Sequence, residues 1–192
     1  MRRRASSLVL HDLRHRLGLP ERTPPKPART LAKHAVQGAV AGLAATWVMD
    51  RVTTYLYETE SRTARRREDR VRHGRTTYEE AADQIATRLG TTLNRRDRRR
   101  YGTALHWTVG ATAGAVYGAL GTNGRPTLVN GVRFGTAFWL FMDETVTPAL
   151  GITAAPRAFP WQAHARGLAG HAAWGLGAAA SLRVLRRLTR RA

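Results

Sequence analysis

The sequence predicts an all-α protein, an integral membrane bundle of four transmembrane helices with an amphipathic helix in its first loop. Three observations carry that expectation. Four stretches alone, residues 31–57, 101–121, 128–150 and 161–185, combine an apolar character with the ~20 residues that a bilayer core of ~30 Å demands. Within them, glycines recur at four-residue spacing: Gly38 and Gly42, then Gly110, Gly114 and Gly118, then Gly131 and Gly135. That spacing puts small residues on one helix face, where neighbouring backbones approach closely. The composition agrees, because the 18 glycines and few bulky side chains suit tight helix packing better than an ordinary soluble core.

Residues 1–30 read as a basic, proline-containing flexible arm. Four prolines between 20 and 27 favour an extended linker, and the apolar segment 6–10 is too short for a signal-peptide core, so no cleaved leader is expected. The loop 58–100 is rich in arginine. Inside it Tyr78, Ala81, Ala82, Ile85, Ala86 and Leu89 keep three-and-four spacing, with Glu79, Glu80, Asp83 and Arg88 opposite. This is an amphipathic helix that either lies on the membrane or caps the bundle. Arg65 to Arg67 and Arg95 to Arg100 read as solvated flanks, and 186–192 as a basic tail. Tyr55, Tyr57, Tyr101, Trp107, Phe159 and Trp161 gather near span ends in the manner of interfacial belts. Lysine and arginine divide almost equally between the two sides, so orientation stays open.

The first and third spans share a phrase at an offset of 93 residues: Gly38, Gly42, Met49 and Asp50 match Gly131, Gly135, Met142 and Asp143. The second and fourth echo each other at an offset of 65, where Gly102, His106 and Gly110 meet Gly167, His171 and Gly175. Two parallel copies of a two-helix unit would give this pattern.

An aspartate at the centre of a bilayer costs roughly 2.5–3.5 kcal/mol, so it faces protein, finds a partner and marks a functional site. Asp50, His106, Asp143 and Arg166 belong at similar depth beneath one face, where the acids can pair with Arg166 or a histidine. Glu144, His164 and His171 complete the expected polar layer, with Arg51 and Glu144 free to snorkel. His164 and His171 lie about 10 Å apart along one helix, too far to share a metal ion, so no metal is expected. The layer serves either as a proton relay or as a hydrogen-bonded network that fixes register. Pro148 either kinks the third span by freeing the carbonyl of Glu144 or simply ends it.

Trp47-Val48-Met49-Asp50-Arg51, the phrase 101–107, Gly114-Ala115-Val116-Tyr117-Gly118 and the phrase 138–144 resemble the YagU-like family of bacterial inner-membrane proteins. So does Phe159-Pro160-Trp161-Gln162-x-His164-Ala165-Arg166-Gly167-Leu168-x-Gly170-His171, the most specific of them. The likeness covers roughly 33–182. It implies a multi-pass inner-membrane protein of unknown activity, with a suggested part in acid-stress tolerance. The arginine-rich arm departs from it.

The expected function is therefore non-enzymatic: proton or ion handling, or helix assembly, by the buried Asp/His/Arg layer. An intramembrane enzyme with Asp143 or Asp50 as base and His164 or His106 beside it is the alternative, but Ser6, Ser7, Ser61 and Ser181 lie outside or at the edge of the layer. No cofactor is expected, and the absence of cysteine removes thiolate chemistry. The net charge of +19, from 30 Arg against 2 Lys, suits nucleic acid or anionic lipid. It brackets the apolar spans, so the expected partners are the bilayer, its anionic headgroups and a second copy of the chain, with no nucleic acid.

Overall fold

The computed structural model describes residues 28–120 and 126–191. The expected arm as far as residue 27, and the tip of the turn at 121–125, lie outside the described residues. Those residues are all-α, with no strand among them. In order come α1 (Ala28–Thr59), α2 (Arg62–Arg72), α3 (Thr77–Arg88), α4 (Arg95–Leu120), α5 (Leu128–Phe141) and α6 (Trp161–Arg191). A π-helical turn at Met142–Val146 carries α5 on into a last turn, Thr147–Ala149, and a 3₁₀ turn, Pro156–Ala158, precedes α6.

No helix among the described residues is long and apolar enough to cross a membrane. The physical reason is that glycine, threonine, histidine and acids lower the mean of each segment, while Thr103, Thr108 and Thr112 on α4 and Arg133 on α5 stand on the outward faces among the apolar residues. The arginine runs also sit differently from expectation. Asn94 caps α4, accepting from the amide of Asp97 at 2.9 Å, so Arg95 to Arg100 form the first turns of the helix instead of a flank. Arg98 is no solvated group: its Nε lies 2.7 Å from Asp83 and its side chain is largely covered. The tail likewise continues α6 as far as Arg191.

Glycine dictates the packing. A Cβ added at Gly38 would stand 2.2 Å from the carbonyl oxygen of Gly114, and one at Gly42 would stand 2.4 Å from that of Gly110. Gly131 and Gly135 press in the same way on the carbonyls of Gly175 and His171. The α1–α4 and α5–α6 pairs therefore meet backbone to backbone. Between them lies a core of small residues, Ala41, Ala45, Ala113, Ala178 and Ala179, filled out by Tyr117, Trp174 and Leu182. Thr46, wholly buried, bridges inside it by donating to the carbonyl of Gly42 and accepting from Trp174 Nε1 at 3.2 Å.

The two pairs do not share one register. Gly38 sits between Gly114 and Gly118, whereas Gly131 sits between Gly175 and Ala179. Contact thus slips one helical turn from the offset that relates His106 to His171. The glycines and acids that echo each other in sequence thus meet different partners, and the slip decides how each acid meets its histidine.

The loop after α1 forms a cap of two helices. Ser61 caps α2, which ends on His73 in the left-handed region (φ 50°) and Gly74 (φ 69°). Thr76 and Glu79 then form a reciprocal capping box at the start of α3. α3 rests on α4, where Gly102 leaves room for Glu79: an added Cβ would lie 3.0 Å from its amide nitrogen. Of the two placements open to the amphipathic helix, capping is the one found. Its apolar face is only partly spent, with Ala82 and Ala86 buried while Ile85 and Leu89 stay exposed.

Candidate functional site

Beneath the cap lies a cavity of about 730 Å³. Asp50 from α1, His106 from α4, Asp143 from α5 and His171 from α6 line it, with Tyr78 and Trp107 among its aromatic walls. On the far side the interior closes into the Ala/Trp174/Leu182 core.

The two acid–histidine pairs differ. His106 Nε2 lies 2.9 Å from Asp50 Oδ1, a hydrogen bond in which the ring N–H donates to the carboxylate. Tyr78 lies over the same ring, centroids 4.8 Å apart. Burial, aided by the charges of Asp143 and Asp50, raises the Tyr78 phenol well above its ordinary value, so it stays protonated. His171 Nδ1 instead bonds the carbonyl of Gly167 at 3.0 Å and stands 3.8 Å from Asp143 Oδ2. The second contact is electrostatic rather than hydrogen-bonded, as the one-turn slip requires. Asp143 falls opposite Gly167, which has no side chain to meet it.

The remaining members of the expected layer sit elsewhere. Arg166 pairs with neither Asp50 nor Asp143; it is almost buried between Glu60 and Glu68 and stacks on Tyr57, 5.1 Å from guanidinium to ring. The reason is reach: those two acids hang from the end of α1 and from α2 directly over Arg166. Glu144 does not snorkel. Its carboxylate meets His164 Nδ1 at 2.7 Å, while His164 Nε2 lies 3.0 Å from the carbonyl of Pro156. A ring that donates to a carbonyl at one nitrogen and bonds a carboxyl at the other shares a single proton with it. His164 and Glu144 thus pin the loop before α6 to the end of α5.

The sequence reading leaves out Glu60, Glu68 and Arg72, and puts Tyr57 in an interfacial belt and Tyr78 on the amphipathic helix rather than at the cavity. Glu68 is 3% exposed, although it lies in a run of arginines that reads as solvated. The available signal was the acid pair Glu68-Asp69 interrupting that run. Arg72 reaches Glu68 at 2.7 Å and Thr77 at 3.0 Å and lies over Phe159, while Asp69 accepts from the Tyr57 hydroxyl at 2.9 Å. Tyr57, Trp107 and Phe159 accordingly serve the interior; Tyr55, Tyr101 and Trp161 are the exposed aromatics of the six.

Pro148 acts through the π turn. The amide of Thr147 bonds five residues back to Met142, and the Thr147 hydroxyl donates to the carbonyl of Asp143 at 3.2 Å. Pro148 has no N–H to offer, and in this wide turn it is the backbone carbonyl of Asp143, not that of Glu144, that a side chain takes up. Wide turns of this kind recur at functional sites. Among the described residues no group of three His, Cys, Asp or Glu is placed to hold a metal ion.

No family model, curated protein or solved structure matches the chain.

Proposed function

We propose that the chain is a membrane-embedded helical bundle that takes up protons from one face, on the Asp50–His106 and Asp143–His171 pairs of the capped cavity. The observation that carries this reading is an inversion of side-chain size. Small residues fill the interior, while Val36, Val40, Leu43 and Trp47 on α1, Val116 and Leu120 on α4, Leu140 and Phe141 on α5, and Leu176 and Val184 on α6 point outward and are exposed. Water would penalise such a surface at about 25 cal/mol per Å², whereas lipid imposes no such penalty.

Mean hydropathy is a poor guide to such helices, because it averages the outward face with the inward one. The charged layers give a better measure: Lys33 to Asp50 on α1, and Arg166 to Arg183 on α6, each span roughly 25 Å of helix at ~1.5 Å per residue, with Arg133 on α5 the exposed charge between them. A bilayer core of ~30 Å accommodates that length by local thinning and by snorkelling of the flanking arginines. Membership of the YagU-like family, and a part in acid-stress tolerance, are proposed on the strength of the phrases at 47–51, 101–107, 114–118, 138–144 and 159–171.

Fractionation tests the reading. The full chain is expected to stay with membranes through high-salt and alkaline washes and to leave them only in detergent. Release by salt alone would overturn it in favour of a basic soluble binder.

A further inference from the structure

We propose that the capped cavity binds an organic cation, an ammonium-type centre bearing apolar substituents, between Asp50 and Asp143. The inference rests on the proton-uptake reading, since cation and proton would occupy the same two carboxylates.

The charges around the cavity single out these acids. Glu68 is met by Arg166 and Arg72, Asp69 by the Tyr57 hydroxyl, and Glu79 by Arg99 at 3.7 Å. Arg75 is spent on Glu80 and Asp83. Asp50 and Asp143 remain, 43% and 39% exposed and lining the cavity, each beside a histidine, with the charge of Arg72, itself bonded to Glu68, also reaching Asp143. Among the described residues no arginine or lysine forms an ion pair with either carboxylate. In a chain of net charge +19, two carboxylates without a committed cation at the floor of one cavity select for positive charge.

The walls define the rest of the ligand. Tyr78 and Trp107 supply aromatic surface that attracts cations, the Tyr57 ring being already taken by Arg166 and Arg65, and Met49 and Met142 supply polarisable, adaptable surface. A volume of about 730 Å³ fits a drug-sized molecule and far exceeds a bare ion. The arginines at the rim are each committed to an acid already named, so they do not convert the site into one for anions.

The groups facing the two carboxylates are Arg72 from α2, Tyr78 from α3, His106 from α4, Glu144 on α5 itself and His171 from α6. Arg72 is held by Glu68 and Thr77, and Glu144 by His164. Protonation of either carboxylate removes the charge that would hold a cation, so binding is expected to weaken in acid.

Tetraphenylphosphonium is a suitable probe, because its permanent charge leaves all pH dependence to the protein. Equilibrium dialysis against the detergent-solubilised full chain is expected to show saturable binding that weakens as pH falls. Asp50→Asn combined with Asp143→Asn is expected to weaken it at least tenfold, with circular dichroism confirming a folded variant. Tetraphenylborate, matched in shape and opposite in charge, is expected not to saturate. Equal binding of the borate, a wild-type affinity independent of pH, undiminished binding by a folded double variant, or no phosphonium binding would each overturn the inference. A misfolded variant leaves the pH series and the borate comparison to decide. Proton uptake by a chain that binds no phosphonium removes the cation site alone; phosphonium binding by a chain that salt strips from membranes removes the lipid reading alone.

Discussion

Glu68 illustrates how one residue governs the attachment of the cap. Burial pushes its carboxyl up, but the hydrogen bond from Arg166 and the charge of Arg72 outweigh this and hold it below the ordinary range. A depressed carboxyl stabilises fully above its unfolded value of about 4.3 and loses that contribution as pH falls through its folded value. Glu68→Gln is therefore expected to lower stability by about 1–3 kcal/mol near neutral pH and to flatten the acid limb of a thermal-melt series below about pH 4. Arg166→Met, which strands Glu60 and leaves Glu68 to Arg72 alone, should cost about 3–5 kcal/mol at neutral pH, and less under acid conditions where Glu60 accepts a proton. The cavity acids have a different signature. Asp50→Asn with Asp143→Asn is expected to remove about two protons per chain from the uptake that an indicator dye records between neutral and strongly acid pH. Uptake equal to wild type would count against the proton reading.

At the scale of the element, much was written in the sequence. Glycine spacing announces which faces meet, since nothing else allows the approach seen between Gly42 and Gly114. The Asp50 and Asp143 phrases likewise announce a shared polar level. What stayed hidden had long-range causes. Burial of Glu68 depends on Arg166, about a hundred residues away in the chain, and the one-turn slip between the helix pairs depends on how Gly131 seats against Ala179. The covering of Arg98 by Asp83 required the cap to fold back on α4, which no local pattern encodes. Gly114→Ala tests the packing. Its helix propensity improves by about 1 kcal/mol, but the new methyl would lie 2.3 Å from the Gly38 carbonyl oxygen, so a net loss of about 1–3 kcal/mol is expected in thermal unfolding.

The whole molecule is short for its proposed surroundings. The roughly 25 Å between its charged layers undershoots a typical core by several ångströms, at fractions of a kcal/mol per ångström of mismatch. Stability in reconstituted bilayers is accordingly expected to be highest with short-chain lipids and to decline as acyl chains lengthen; indifference to chain length would argue against a lipid-facing belt. A larger consequence follows from Trp174 and Thr46, which with the neighbouring alanines seal the bundle below Asp50. A chamber with one doorway equilibrates with one compartment only. Whatever enters would leave by the route it came, and unless that seal parts, the proposed uptake and release of protons would be confined to one side.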